Sequence, residues 1–181
     1  MARLPYLALN DLAPADRHAW ERIKRGREGA FSIYRLMLNS PEAAARVAEA
    51  GDYLVFHAGF PPLERELVIL TVARELNCQH EWTVHEPMAL QRGVRPQALE
   101  AIKSRRYEAL TPQEAVYADF TRQVLKNNVS DAAWNDMVQA VGRGMTVDYT
   151  LVIGFTALIC YCMDAFRADL PPGTQPLLPI P

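Results

Sequence analysis

Apolar residues recur along this chain at intervals of three and four, and runs that alternate with a period of two are nearly absent. There is no Asn-Gly or Asp-Gly hairpin signal. The pattern predicts helices over 15–25 and 31–38, then one from Pro41 to about Glu49 with Ser40 as its cap. Gly51 interrupts that helix, residues 53–57 continue it, and Gly59-Phe60-Pro61-Pro62 is a break. Apolar helices follow over 63–76 and 78–92, separated by Asn77 and closed by Gly93. Pro87 is expected to break or kink the second of these.

Thr111-Pro112-Gln113-Glu114 reads as a capping box that opens a helix to about Lys126. Ser130 and Asp131 cap a helix over 132–141. After Gly142-Arg143-Gly144, Thr146 is the expected cap of a long final helix to about Ala168. Residues 1–14 read as an N-terminal arm, and 170–181, with five of the thirteen prolines, as an extended C-terminal arm. The expectation is a single all-α domain over 1–181 with its core at about 35–168. The final helix is apolar on almost every side, which requires a central position or a subunit interface. A homo-oligomer follows from that.

Composition narrows the function classes. The 181 residues are half apolar and 22% charged, a globular balance, and the net charge of −2 leaves no basic surface for nucleic acid. The longest uncharged run, 149–163, is bracketed by Asp148 and Asp164 and falls short of the roughly 20 residues that span a bilayer. Three cysteines, at 78, 160 and 162, make no disulfide framework, so a reducing cytoplasm is expected. The partner expected is a small-molecule substrate, with neither nucleic acid nor membrane.

Two segments carry candidate chemistry. On the helix over 63–76, Glu64, Thr71 and Glu75 define the polar arc, and Glu66 lies instead among apolar residues. A carboxylate there must be paired or functional, because an isolated buried charge costs too much. The plainer version is a structural ion pair with Arg65 or Arg74. On the next helix, Cys78, Glu81, Trp82 and His85 stand at i, i+3, i+4 and i+7 and share a face. Cys78 falls in the first turn, where free N–H groups favour a thiolate. Glu81 and His85 are one turn apart, within reach of a shared proton. The set offers a nucleophile and an acid/base pair, or else a half-buried helix with an ordinary surface ion pair. His80 points roughly away from Cys78. His80-Glu81 begins like a zinc-protease motif, but the next histidine is at i+5, so no metal site is expected. No phosphate loop or dinucleotide fingerprint occurs, and no cofactor is expected.

The run E-R-E-L-V-I-L-T-V-A-R-E-L-N-C-Q-H-E-W-T-V-H, with A-L-Q-R-G-V, T-P-Q-E-A and D-Y-T-L-V-I-G-F-T-A-L-I after it, resembles the carboxymuconolactone decarboxylase family, which includes the alkylhydroperoxidase D proteins. The likeness covers roughly 35–168, and 63–94 is its specific part. It implies an alkylhydroperoxidase D-like helical bundle that assembles as a homotrimer or homohexamer. The peroxidase branch uses a Cys-x-x-Cys pair, an upstream glutamate and a following histidine. Glu66, Cys78 and His85 match that pattern, and Glu81 replaces the second cysteine. A peroxidase here would need another resolving thiol, such as Cys160, Cys162 or a small-molecule thiol. His80, Glu81 and His85 match the arrangement of the decarboxylase branch. That tilts the reading toward cofactor-free acid/base chemistry on a small carboxylated lactone or carbonyl compound, with His85 as proton donor, Glu66 and Glu81 tuning it, and Arg74 as the candidate cation for a substrate carboxylate. The alternatives are a thiol peroxidase using Cys78 and a non-catalytic ligand-binding oligomer.

Overall fold

The computed structural model describes residues 1–24 and 32–179. The expected end of the first helix at Arg25, the expected start of the second at Phe31, and the last two residues of the C-terminal arm lie outside the described residues. Among the described residues every regular element is helical. Besides short 3-10 turns at Leu9–Asp11, Pro14–Asp16 and Tyr107–Ala109 and a π-helical turn at Tyr53–His57, the helices in chain order are α1 (Arg17–Lys24), α2 (Ser32–Met37), α3 (Pro41–Asp52), α4 (Pro62–Glu75), α5 (Gln79–Gln91), α6 (Pro96–Lys103), α7 (Pro112–Leu125) and α8 (Asp131–Phe166).

The centre is α4. Its residues from Arg65 to Arg74 are all buried, because α5, α6, α7 and α8 pack around it. Thr71, expected on a polar arc, is fully enclosed and returns its hydroxyl to the Leu67 carbonyl at 2.7 Å. An enclosed helix has no polar arc to offer. A second layer is made by α1 and α2 on α3.

Caps explain most of the element boundaries. Thr111 and Glu114 form the expected capping box, and Glu114 is also held by Arg95 at 2.6 Å. Ser130 accepts from the Ala133 amide at 3.2 Å. Ser40 stands at the N-cap of α3 but makes no side-chain cap bond. The break at Gly142 is real: its φ of 80° and ψ of 162° interrupt α8. The helix resumes directly, so Thr146 is not its cap; its hydroxyl donates back to the Gly142 carbonyl at 2.8 Å. Pro87 does not end α5, which continues to Gln91 and closes at the left-handed Gly93. The pattern gave no sign of α6, a short helix that buries Ala98, Leu99, Ala101 and Ile102.

α8 is long and apolar enough, by length and composition, to cross a membrane. In this fold one face, including Tyr149, Val152, Ile153 and Cys160, is buried in the bundle. The opposite face leaves Val147, Leu151, Leu158 and Tyr161 exposed. The arms fold back onto the bundle. The Arg3 amide and guanidinium bond the carbonyls of Phe166 and Ala165, both at 2.8 Å, at the C-terminal end of α8. Leu178 of the C-terminal arm is buried in the core, and the Leu177 amide donates to Thr83 on α5 at 3.3 Å.

Gly51 does not interrupt α3; the helix passes through it and widens into a π-helical turn at Tyr53–His57. Its missing side chain leaves room for α8 and α2. A Cβ at this position would sit 2.6 Å from Phe155 Cζ and 2.9 Å from the Tyr34 hydroxyl. Gly51→Ala is therefore expected to destabilise the fold by about 1–3 kcal/mol through overpacking, despite the better helix propensity of alanine. Urea denaturation checks it, and unchanged or raised stability would count against this packing.

Candidate active site

The site is built where α4 hands over to α5. Asn77 takes the left-handed conformation, with φ 53°. The Cys78 amide then bonds the Ala73 carbonyl at 2.7 Å and the Asn77 amide bonds Arg74 at 3.2 Å, the paired bonds of a Schellman cap. Cys78 itself becomes the N-cap of α5, and its carbonyl accepts from the Trp82 amide at 3.1 Å. Its side chain is thereby fixed over the first free N–H groups of α5. Trp82 anchors the helix from within: it is fully buried, and its indole N–H donates to Glu86 at 2.8 Å.

From this start, α5 carries Glu81 and His85 toward the middle of α4, where Glu66 waits with no exposed surface. His85 Nδ1 lies 2.8 Å from Glu66 Oε2, and its Nε2 lies 3.6 Å from Glu81 Oε1. The result is a carboxyl–imidazole–carboxyl chain. Two arginines close on Glu66: Arg92 hydrogen-bonds its other oxygen, and Arg65 stands 3.6 Å from it. The side chains of His85 and Glu81 keep 18% and 13% of their surface. The outer end of the chain is thus the end that solvent and small molecules can reach.

The electrostatics separate the two carboxyls. Burial pushes Glu66 toward protonation, but His85, Arg92 and Arg65 outweigh it and hold the carboxyl below its ordinary range. Glu81 is raised: burial favours its neutral form, and the negative Glu66 reinforces this against the opposing pull of His85. Burial lowers His85, yet the bond to Glu66 and the two negative charges raise it above an ordinary imidazole. With Glu66 ionised and accepting, the Nδ1 position carries the proton and Nε2 faces Glu81. Two carboxyls with opposed tendencies around one imidazole are an arrangement that can pass a proton.

The thiol lies at the other end of α5. Cys78 Sγ is 4.0 Å from Met163 Sδ. A hydrogen bond from Cys160 lowers the Cys78 thiol below its ordinary value; burial opposes this, and the amides of Glu81 and His80 add to the lowering. A cavity of about 530 Å³ opens against Cys78, lined also by Leu76, Asn77, His80, Met163 and Arg167. His80 borders this cavity rather than the chain around His85, and its Nε2 lies 3.3 Å from the Ser32 hydroxyl. Burial and the charge of His85 lower its pKa.

The structure therefore gathers Glu66, Glu81 and His85 around one imidazole and sets Cys78 and His80 beside a neighbouring cavity. Arg74 serves neither place, because its guanidinium bonds the Lys103 carbonyl and the Asn77 side chain, both at 2.6 Å. Arg92 is the residue that sequence reasoning missed. The signal was present: residues 78, 85 and 92 are spaced by seven, two turns each, on one helix face.

Because Glu66 is enclosed, Glu66→Ala strands two arginines and an imidazole. It is expected to cost about 3–5 kcal/mol, the penalty for breaking a buried pair. The pH dependence has a definite sign. His85 is raised above its ordinary value of 6.5, so its contribution is full below that pH and is lost as pH rises through the folded value. Glu81, raised above 4.5, also makes stability fall as pH rises from 4.5 toward its folded value. Glu66, lowered from 4.5, contributes above that pH and loses its contribution as pH falls through the folded value. Stability should therefore fall from mildly acidic toward alkaline pH, and His85→Gln should flatten the slope above pH 6.5. Denaturant titration across pH checks both statements.

Comparison with known proteins places this geometry. The carboxymuconolactone decarboxylase family pattern matches residues 41–123, which span α3 through most of α7 and hold Glu66, Cys78, Glu81, His85 and Arg92. No curated protein matches the chain in sequence. Among solved structures, a peroxidase-related protein from Ralstonia eutropha JMP134, described as uncharacterized and as having an alkylhydroperoxidase AhpD core, superposes with a TM-score of 0.72. The match covers 94% of this chain and 93% of that one at 16% identity, and the likeness is one of fold. Residues 41–123, which contain the whole carboxyl–imidazole cluster, match the carboxymuconolactone decarboxylase family pattern, and the chain has an alkylhydroperoxidase D-like helical fold.

Proposed function

We propose that the protein is a cofactor-free acid/base enzyme that decarboxylates, or carries out a related lyase reaction on, a small carboxylated lactone or carbonyl compound. The observation that supports this reading is the Glu66–His85–Glu81 chain. Loss of carbon dioxide leaves an electron pair on a conjugated carbonyl system, and that carbon must then be protonated. His85 delivers the proton from Nε2, Glu66 holds the resulting charge distribution from Nδ1, and Glu81 is the reservoir that refills the imidazole. Arg92, 29% exposed and already turned toward Glu66, takes the role of the cation that receives the substrate carboxylate.

The test is a panel of small γ-lactone acids and β-keto acids, followed by carbon dioxide release. On a turned-over substrate, His85→Ala is expected to lower kcat by about 100-fold or more. Unchanged turnover would overturn the reading. Saturable binding with no turnover on any member would point instead to a ligand-binding oligomer.

One observation favours a second reading, thiol-based reduction of hydroperoxides. Cys78 is the thiol whose surroundings favour the thiolate, and it borders the cavity. An ordinary thiol reactivity, with half-maximal alkylation near pH 8.5, would remove this reading.

We also propose that the chain self-associates through the outer face of α8, as a homotrimer or homohexamer. Val147, Leu151, Leu158 and Tyr161 are 51%, 52%, 41% and 61% exposed, and they recur with Gly154 at alternating steps of four and three along one stripe. A Cβ on Gly154 would meet nothing, so the stripe is open along its length. Leu158→Glu is expected to shift sedimentation to a smaller species without loss of helix content. An unchanged sedimentation coefficient would place any interface elsewhere.

A further inference from the structure

We propose that Cys78 and Cys160 form a reversible dithiol–disulfide pair between α5 and α8, with Cys160 as the resolving thiol. The inference rests on attack at Cys78, the second reading above, and adds what that reading lacks. Glu81 occupies the position where a second cysteine would complete a pair on α5. The geometry supplies a partner from another helix.

Three observations support the pairing. The Cys78 sulfur lies 4.0 Å from Met163 Sδ, so α8 presents this turn directly to the N-cap of α5. Cys160 stands one turn before Met163 on the same buried face of α8, so its side chain is directed to the same N-cap. Both residues are buried, at 8% and 3%, so neither is displayed to a second protein. The cavity of about 530 Å³ touches Cys78 but does not include Cys160 in its lining. Access is therefore unequal. A small oxidant meets Cys78 first, and Cys160 waits behind it. Cys162, two residues on and diverging around the helix by about 200°, faces elsewhere.

The chemistry balances with an alkyl hydroperoxide as oxidant and a small dithiol as reductant. The Cys78 sulfur attacks the distal peroxide oxygen; the S–O bond forms, the O–O bond breaks, and the alkoxide takes the thiol proton to leave as an alcohol. Sulfur is oxidised to the sulfenic acid and the peroxide oxygens are reduced. The Cys160 sulfur then attacks Cys78; the S–S bond forms, the S–O bond breaks, and hydroxide leaves with the Cys160 proton as water. The dithiol restores both thiols by two exchanges and ends as its own disulfide. The apolar lining from Leu76 and Met163 suits the alkyl group, while Asn77 and Arg167 suit the polar peroxide end.

The experiment uses reduced wild-type protein and one equivalent of cumene hydroperoxide. Free thiols are then alkylated, and the intact mass and peptides are read without reduction. The expected product is about 2 Da lighter than the reduced protein before alkylation, takes up one alkyl group, on Cys162, and yields a Cys78–Cys160 cross-linked peptide. A product about 16 Da heavier at Cys78, with Cys160 still alkylated, would overturn this inference while leaving the peroxidase reading intact. Three alkylated thiols after prolonged exposure would overturn both. Cys160→Ser is expected to convert the disulfide into a dimedone-trappable sulfenic acid on Cys78. Because the wild-type measurement needs no variant, a folding defect in Cys160→Ser does not shield the proposal.

Discussion

Glu66 carries a charge in the middle of a helix that its neighbours cover on every side. Removing a carboxylate from water is expensive, by several kcal/mol even after relaxation. The surrounding residues are arranged to meet that demand. Arg65 comes from the same helix, His85 from α5 and Arg92 from the C-cap of α5. The α4–α5 contact is therefore fixed in angle and register by the need to bring an imidazole and a guanidinium to one carboxylate. Apolar packing alone tolerates sliding; a buried ion cluster does not. Residues that make the core specific are also the residues that can move a proton.

Much of this was legible in the amino-acid order. The helical class, the Thr111 and Ser130 caps, the break at Gly142 and the burial of Glu66 follow from periodicity and local hydrogen-bonding chemistry. Other points needed the third dimension. Thr146 has the look of a cap, but a helix restarting directly after Gly142 leaves it mid-helix, where its hydroxyl bonds backward. Thr71 looks polar in sequence and is enclosed because four helices surround α4. Arg65 and Arg74 were equivalent candidates for Glu66. Only the packing shows that Arg74 is committed to the Lys103 carbonyl and Asn77. The adjacency of Cys78 and Cys160, 82 positions apart, cannot be read from spacing at all.

α5 holds two chemical environments seven residues apart. At its N-terminus, free amides and a neighbouring thiol favour sulfur as an anion. Two turns later, flanking carboxyls favour a protonated imidazole. Glu81 lies between them, and its negative form disfavours a thiolate at Cys78 while favouring the cation at His85. Its charge therefore acts on both ends of the helix with opposite effect on sulfur and on imidazole.

The handover at Asn77 and Cys78 has an evolutionary consequence. The two bonds that turn the chain there come from backbone amides, and the left-handed conformation belongs to Asn77. Nothing in the turn depends on what side chain residue 78 carries. The scaffold thus presents an addressable position at a helix start, against a cavity, whose chemical identity can drift without dismantling the fold. A lineage built on this bundle can exchange a thiol for a hydroxyl or a small apolar group there in one step. It would gain or lose a reactive centre while retaining the proton-handling cluster two turns away.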